Sequence, residues 1–320
     1  MFTRNTLILL SSLLITISAH ASTYTQTKYP IVLLSGVMGS PNAFGPIPTE
    51  YFYGIEQALE SSGARVYVAP LSPLHEDYTR GEQARRFIEE IVIPYEHSRG
   101  YHWVDKVNIL GHSQGGITAR YVAGVHPHLV ATISTIGTPH NAPTKGMSLT
   151  DFFILATQDD NVLGQLGRII NGLFGDISSW LSGTHLSNDL DAALEHIENN
   201  FAAFNQDFPQ ALPTGSPCGE GQYVVNGIPY FSMGGTSPLT NFFDPSDAAL
   251  GTLSLILQVD DKNDGAIGRC QTHIGKVIRD NYVMNHGDEI NALYGIVSPF
   301  ATNPRTVYRK HANYLKNMGL

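Results

Sequence analysis

The amino-acid sequence predicts an α/β fold, in which helices cover both faces of a mostly parallel central sheet. Short apolar runs with the length of buried strands recur at residues 31–34, 65–68, 106–110 and 130–136. Helix-like segments lie between them, at residues 55–61, 83–93 and 117–123. Strands that alternate with helices through short connections form parallel sheets covered by helices on both faces.

The middle of the chain departs from this alternation. Between residues 141 and 211 no strand pattern occurs, and apolar side chains recur at helical spacing: Val162, Leu166, Ile169, Ile170 and Leu173. This pattern fits an ordinary core-facing helix, and its place between strands also fits a helical lid. We predict one domain over residues 22–320 with this helical region inserted. A strand at residues 230–233 and a helix near the C-terminus follow it.

The first 21 residues have the features of a cleaved signal peptide. Arg4 precedes an apolar stretch from Leu7 to Ile17, and Ala19-His20-Ala21 has the small residues that a signal peptidase reads. The alternative is a membrane anchor, but the stretch is shorter than the roughly 20 apolar residues that span a bilayer. The sequence thus predicts a secreted protein whose mature form begins at Ser22. The net charge of −9 argues against a nucleic-acid partner.

The chain contains two cysteines, Cys218 and Cys270. In a secreted protein an isolated pair is most simply one disulfide, and the alternative is two free thiols. A bridge between them would close a loop of about 52 residues and stabilise the fold by about 4 kcal/mol in the chain-entropy model.

A candidate nucleophile lies in the motif Gly111-His112-Ser113-Gln114-Gly115, directly after the predicted strand 106–110 and before a predicted helix. A G-x-S-x-G motif at a strand-to-helix turn exposes the serine hydroxyl at the helix N-terminus, where the helix dipole favours developing negative charge. The tetrahedral intermediate also needs two backbone N–H donors. We predict that these come from Gln114, the residue after the nucleophile, and from Val37, in the loop after strand 31–34.

A serine nucleophile needs a base, and the base needs an acid that orients it. In chains with this motif the acid follows the nucleophile and the histidine comes last. The turn-like stretch 285–288 favours His286 as the base, with His273 as the second choice and His311 as a structural residue. The acid lies among Asp260, Asp261 and Asp264, which follow an apolar run at 253–259 that we expect to end a strand.

Two further acids, Asp244 and Asp288, have two interpretations. Each fits an ordinary solvated loop carboxylate. Carboxylates combined with backbone carbonyls are also the ligands that hold calcium beside a loop.

Strings spread over nearly all of the mature chain resemble the true bacterial lipases of Pseudomonas and Burkholderia type. They are residues 22–30, 111–116, 218–221, 237–241, 244–247, 263–265, 278–282, 285–286 and 311–313. The resemblance implies an α/β-hydrolase core with a mobile lid and triacylglycerol lipase activity. It also implies a catalytic triad of Ser113, Asp264 and His286, with Val37 and Gln114 as oxyanion donors.

The same resemblance pairs Cys218 with Cys270. It implies one structural calcium ion held by the carboxylates of Asp244 and Asp288 and by the backbone oxygens of Ala292 and Ile296. It further implies a dedicated foldase during export through the periplasm. We expect the secreted protein to be a monomer.

Three functions compete at this stage. The first is a lipase for long-chain acylglycerols at an oil–water interface. The second is a carboxylesterase for short soluble esters with the same triad. The third is a catalytically silent hydrolase fold that binds lipid, and an intact catalytic set argues against it.

Overall fold

A computed structural model describes residues 23–37, 50–73, 75–148, 151, 202–260 and 262–320. The predicted signal peptide and most of the predicted lid lie outside these residues. In the described parts of 141–211 no residue is in a strand, and residues 202–207 are helical. Within the described chain, no helix has the length and apolar character needed to cross a membrane.

The predicted α/β architecture is confirmed. The strands are β1 (Ile31–Leu34), β2 (Val66–Val68), β3 (Val107–His112), β4 (Val130–Ile136), β5 (Val224–Val225), β6 (Ile228–Gly235) and β7 (Lys276–Tyr282). Strands β2, β1, β3, β4, β6 and β7 pair side by side in that order, all in parallel. The short strand β5 pairs antiparallel with β6. Because neighbouring strands run in parallel, their carboxyl ends meet at one edge of the sheet.

The described helices are α1 (Ile55–Glu60), α2 (Asp77–Arg86), α3 (Ile93–Ser98), α4 (Gln114–Val125), α5 (Pro245–Leu257), α6 (Ala292–Gly295) and α7 (Pro304–Asn317), with a π-helical segment, Phe87–Val92, between α2 and α3. The predicted helix 83–93 is therefore the middle of a longer helical stretch.

Strand β1 shows how the two faces of the sheet are covered. Val32 and Leu34 pack in the core beneath α2 and α4, whereas Ile31 and Leu33 pack in the core with α1 and α7.

Two predictions for the last third of the chain were wrong. We expected the run 253–259 to be the end of a strand, but most of it is the C-terminal part of α5. This helix begins one residue after Asp244, whose side chain caps it, and Pro245 occupies its first turn. An apolar run without alternation does not distinguish a helix from a buried strand. The capping signal at Asp244 and Pro245 is the local feature that indicates a helix. Strand β7 was missed because Lys276, Arg279 and Asp280 interrupt its apolar pattern.

The disulfide is present: Cys218 is bonded to Cys270, 52 residues apart in sequence. The bond joins the exposed segment before β5 to the short helical turn Arg269–Thr272, which lies just after the Asp264 loop. It thereby ties that loop to the edge of the sheet.

The C-terminal helix α7 contributes a buried histidine to the core. His311 is 5% exposed, and its Nε2 atom lies 2.6 Å from the Ser134 hydroxyl on β4. Burial lowers the pKa of His311 to about 4. The ring is therefore neutral in the folded protein, and His311 is a structural residue, as the sequence analysis expected.

This burial predicts a pH dependence of stability. Between pH 6.5 and about 4 the unfolded chain binds a proton at His311 that the folded chain does not bind. The free energy of unfolding should then fall with decreasing pH by about 1.4 kcal/mol per pH unit on account of this residue. In His311→Gln this contribution should disappear, so wild type should lose its advantage over the variant as the pH falls. Urea unfolding at pH 7, 5.5 and 4.5 measures the difference.

The exposed His128 offers the matched control, because His128→Gln should leave the pH dependence as it is in wild type. A constant stability difference between wild type and His311→Gln across this pH range would contradict the prediction.

Candidate active site

Ser113 lies in a strained turn between β3 and α4. Its backbone has φ 55° and ψ −131°, in the left-handed half of conformational space that side chains rarely adopt. The turn is possible because its neighbours are glycines. A Cβ atom on Gly115 would lie 2.1 Å from the carbonyl oxygen of Leu34, and one on Gly111 would lie 2.3 Å from the carbonyl oxygen of Gly115. The turn places Ser113 at the carboxyl edge of the sheet and at the N-terminus of α4.

His286 and Asp264 form a close pair at the same edge. The His286 Nδ1 atom lies 2.7 Å from Asp264 Oδ2, and the His286 backbone N–H donates to the Asp264 carbonyl at 2.8 Å. Asp264 is 1% exposed, and its other carboxylate oxygen accepts hydrogen bonds from the N–H groups of Ala266 and Ile267. Hydrogen bonds of this kind stabilise an ionised carboxylate. The pair therefore holds the histidine ring in one orientation with a negative charge behind it.

The other candidates for base and acid have different contacts. The Nε2 atom of His273 lies 3.0 Å from the Asp280 carboxylate on β7, and its Nδ1 atom lies 3.1 Å from the Gly219 carbonyl. His273 therefore helps to hold β7 in place. The Asp260 carboxylate accepts a hydrogen bond from the Thr144 hydroxyl. Asp261 lies outside the described residues. Among the described candidates, only His286 and Asp264 pair with each other.

The candidate base, His286, lies beside the turn that carries the candidate nucleophile, Ser113. The ring of His286 is tilted over the ring of His112, the residue before Ser113, with 4.5 Å between the centroids. Both residues belong to the described chain, and no hydrogen bond joins His286 to the Ser113 hydroxyl there. Catalytic hydrogen bonds are often long before substrate binds and tighten in the complex.

A second buried carboxyl group, Glu289, lies behind the histidine. It is fully buried, and its Oε2 atom is 3.7 Å from His286 Nδ1 and 3.2 Å from His112 Nε2. Burial, together with the negative charge of Asp264, raises the pKa of Glu289 well above its usual range. Glu289 is therefore the neutral acid of the two, and the negative charge beside His286 belongs to Asp264.

The loop after β1 lies directly over Ser113. A Cβ atom on Gly36 would lie 2.6 Å from the Ser113 Cβ. The buried Arg80 donates hydrogen bonds to the carbonyls of Ser35 and Gly36, and the Gly36 N–H donates to the Tyr51 hydroxyl at 2.9 Å. In a trans peptide the C=O and the following N–H point in opposite directions. The Val37 N–H therefore points away from Arg80, which leaves it available as a donor.

Tyr51 connects this loop to the nucleophile turn. Burial raises the pKa of Tyr51, so its hydroxyl keeps its proton, and it is hydrogen-bonded to His112 Nδ1 at 2.7 Å. Burial also lowers the pKa of His112 well below its usual range. His112 is thus neutral. Gln114, the first residue of α4, has a backbone N–H that the helix itself does not use, and its side chain donates to the His75 carbonyl at 3.0 Å.

Three buried aspartates converge next to the His286 loop. Ligand atoms of Asp244, Asp247 and Asp288 lie within 4.8 Å of one another, and each residue is at most 4% exposed. Burial is the largest cause that raises the pKa of Asp288 to about 6, and neighbouring negative charges add to it. Asn285 ties the cluster to the base, since its side chain donates to Asp247 and accepts from the Asp288 N–H. An all-oxygen set of desolvated acids fits a hard divalent cation such as calcium.

Five residues of this site were not predicted from the sequence: Tyr51, Arg80, His112, Asp247 and Glu289. Asp247 had a local signal, because it lies three residues after Asp244 in an Asp-Pro-x-Asp string. His112 is part of the nucleophile motif itself. The roles of Tyr51, Arg80 and Glu289 depend on contacts between distant segments, and no spacing rule indicates them.

Comparison with known proteins agrees with this geometry. Residues 75–250 match the family model of the alpha/beta hydrolase fold. The chain is 42% identical to a triacylglycerol lipase of Vibrio cholerae serotype O1, over 95% of this chain and 93% of that protein. It is 34% identical to triacylglycerol lipases of Burkholderia plantarii, covering 94% of this chain and 89% of that protein, and of Pseudomonas fragi, covering 92% and 98%.

Solved structures show the same fold at lower sequence identity. EstA from Clostridium botulinum has a TM-score of 0.57 at 16% identity, over 91% of this chain and 88% of that chain. The mature Bacillus licheniformis lipase BlEst2 has a TM-score of 0.55 at 18% identity, over 91% and 93%. The chain therefore belongs to the α/β-hydrolase family and, within it, to the triacylglycerol lipases.

Proposed function

We propose that this lipase hydrolyses the ester bonds of acylglycerols with Ser113 as nucleophile, His286 as general base and Asp264 as the acid that orients the base. The observation that supports it most is the 2.7 Å contact between His286 and Asp264 beside the strained Ser113 turn. A carboxylate on Nδ1 leaves the other ring nitrogen, Nε2, as the site that accepts a proton.

The reaction then follows in two halves. The Ser113 oxygen attacks the ester carbonyl carbon while its proton passes to His286 Nε2, and the carbonyl oxygen becomes an oxyanion. The N–H groups of Val37 and Gln114 stabilise that charge. When the C–O bond of the alcohol breaks, His286 returns the proton to the departing alcohol oxygen. Water, deprotonated by His286, hydrolyses the acyl-enzyme and releases the fatty acid and Ser113.

The buried surroundings of the triad suit this proton transfer. Glu289 is neutral and Asp264 charged, so the imidazolium that forms on His286 faces one negative charge. His112 is neutral and places no second positive charge beside it. Arg80 and Tyr51 keep the oxyanion loop in place before the substrate arrives, which avoids reorganisation during the reaction.

A structural calcium ion is part of the proposal. Asp244 and Asp288 would hold it through their carboxylates, together with the backbone oxygens of Ala292 and Ile296. Asp247 supports the same cluster, because its oxygens accept hydrogen bonds from the backbone N–H groups of Thr240 and Asn241 and from the side-chain amide of Asn285. The ion would neutralise desolvated carboxylates and hold the loop that carries His286. It would take no part in bond breaking.

Export completes the proposal. Residues 1–21 act as a signal peptide, the chain is folded with the help of a foldase in the periplasm, and the secreted enzyme is a monomer. The region 141–211 acts as the lid. N-terminal sequencing of the secreted protein should begin at Ser22.

The triad predicts a large loss of activity in Ser113→Ala. Without the nucleophile, hydrolysis of emulsified long-chain triacylglycerol and of a soluble short-chain ester should both fall by at least about 10⁴-fold. Asp264→Asn should cost about as much, because the amide favours the wrong histidine tautomer. Initial rates on both substrates, together with labelling by a phosphonate ester, measure this.

The exposed Ser98 provides the control, since Ser98→Ala should keep full activity and full labelling. Undiminished hydrolysis by Ser113→Ala would overturn the mechanism, and activity confined to the short ester would replace the lipase with a carboxylesterase.

The calcium site predicts a stability increment that depends on Asp288. Calcium at a hundredfold its Kd should stabilise the folded protein by about 2.7 kcal/mol, which raises the Tm. In Asp288→Asn the increment should disappear, because a ligand charge is lost. Thermal unfolding with calcium and with chelator compares the two proteins.

The exposed Asp105 provides a variant of equal charge change, and Asp105→Asn should respond to calcium as wild type does. If chelator leaves the Tm of wild type unchanged, the ion is not part of this protein.

A further inference from the structure

Leu239, Phe242 and Phe243 expose large apolar side chains on the turn before α5, here named the apolar turn (residues 239–243). Phe242 is 96% exposed, Phe243 is 84% exposed and Leu239 is 66% exposed. Single exposed apolar residues are ordinary on protein surfaces, but two adjacent and almost fully exposed phenylalanines form a patch that calls for a physical reason.

The backbone of the apolar turn is held in place, so the exposure does not come from a loose loop. The N–H groups of Thr240 and Asn241 donate to the Asp247 carboxylate, and the Phe243 N–H donates to the Asn241 side chain at 3.1 Å. The Asp244 N–H donates to the Asn241 carbonyl at 2.9 Å. These bonds hold the backbone from which both rings project.

The chain segment that carries these rings exposes no charged side chain. In the 21 residues from Ser237 to Leu257 the only charged side chains are Asp244 and Asp247, which are 4% and 3% exposed. Leu255, on the same helix that follows the turn, is 77% exposed. The chain as a whole has a net charge of −9, and this segment exposes none of its charged side chains. Its complement is neutral and apolar.

The apolar turn and the candidate base form one connected unit. The Thr240 hydroxyl donates to Asp288 at 2.8 Å, and Asn285, the residue before His286, donates to Asp247 at 2.7 Å. A partner that binds the two rings would therefore lie next to the loop that carries His286.

We propose that the apolar turn is a docking surface for the neutral surface of an acylglycerol droplet, into which Phe242 and Phe243 insert. The proposal rests on the lipase function, because it names how this site reaches a substrate that does not dissolve. Aromatic rings bury about 150–250 Å² each, so the pair offers roughly 300–500 Å². A typical protein interface buries about 800 Å² on each partner, so the pair is small for a stable protein complex. It is sufficient for insertion into lipid, where the strength of binding increases with the apolar area that is buried.

The test separates binding from catalysis. Ser113→Ala protein is mixed with triolein droplets and floated, so that binding is measured without consuming the substrate. Adding Phe242→Ser and Phe243→Ser should weaken droplet binding at least tenfold, because two apolar side chains lose their transfer into lipid. The same pair of changes in the active enzyme should leave hydrolysis of a soluble short-chain ester within twofold of wild type. Hydrolysis of emulsified triolein should fall in parallel with binding.

Two further variants and two solution conditions sharpen the result. Phe242→Trp with Phe243→Trp should keep binding. Tyr95→Ser removes an aromatic ring that is 52% exposed on α3, outside this unit, and should also keep binding. Because the surface is neutral, binding to triolein should not weaken between low and high salt, and an anionic phospholipid coat should not strengthen it.

Wild-type-like flotation of the double serine variant would overturn the proposal. So would an equal loss in Tyr95→Ser, or a loss of soluble-ester hydrolysis together with binding, which would show that the rings support the site itself. Binding only to anionic droplets would also overturn it. If the active enzyme hydrolysed no ester at all, the lipase function would fail, whereas flotation of the Ser113→Ala protein would still report on the surface.

Discussion

The constraint on which the site depends is the approach of the Ser113 turn to the end of β1. The left-handed backbone at Ser113 costs on the order of 1–3 kcal/mol, and the surrounding structure must supply that energy. It does so by bringing Gly115 against the Leu34 carbonyl and Gly36 against the Ser113 side chain, where no Cβ would fit. The same close approach brings the loop after β1, which carries the proposed oxyanion donor Val37, against the Ser113 turn. The strained residue and the position of this loop are thus two results of one packing arrangement.

Around this turn, burial sorts ionisable groups into charged and neutral partners. Asp264 and Glu289 both lie near His286, but two buried carboxylates cannot easily be charged side by side. Asp264 receives two backbone N–H donors, whereas Glu289 receives one from Gly235 and faces the negative charge of Asp264. Burial, together with the negative charge of Asp264, raises the pKa of Glu289 well above its usual range, so that Glu289 adds no second charge beside His286.

The loop that carries His286 is joined to a second unit formed by the start of α5. Asn285 bonds to both Asp247 and Asp288, and Asp247 in turn fixes the turn that exposes Phe242 and Phe243. One cluster of carboxylates therefore orders the base loop and the neighbouring apolar surface together. In the proposed enzyme, the ion site and the lipid-facing surface would stabilise the same part of the molecule that performs proton transfer.

The sequence by itself determined the features that are encoded locally. These are the α/β alternation, the strand–serine–helix turn at Ser113 and the cysteine pair, because apolar periodicity and glycine positions act over a few residues. Local signals were ambiguous at 253–259, where an uninterrupted apolar run proved to be a helix, and at β7, whose charged residues hid a strand. Spacing also left the acid open among three aspartates, and only the resemblance to known lipases favoured Asp264. The tertiary structure alone decided which aspartate contacts His286, that Glu289 is the neutral second acid, and that Arg80 and Tyr51 hold the loop after β1. These contacts join segments far apart in the chain, and burial and distance, which no linear pattern contains, determine them.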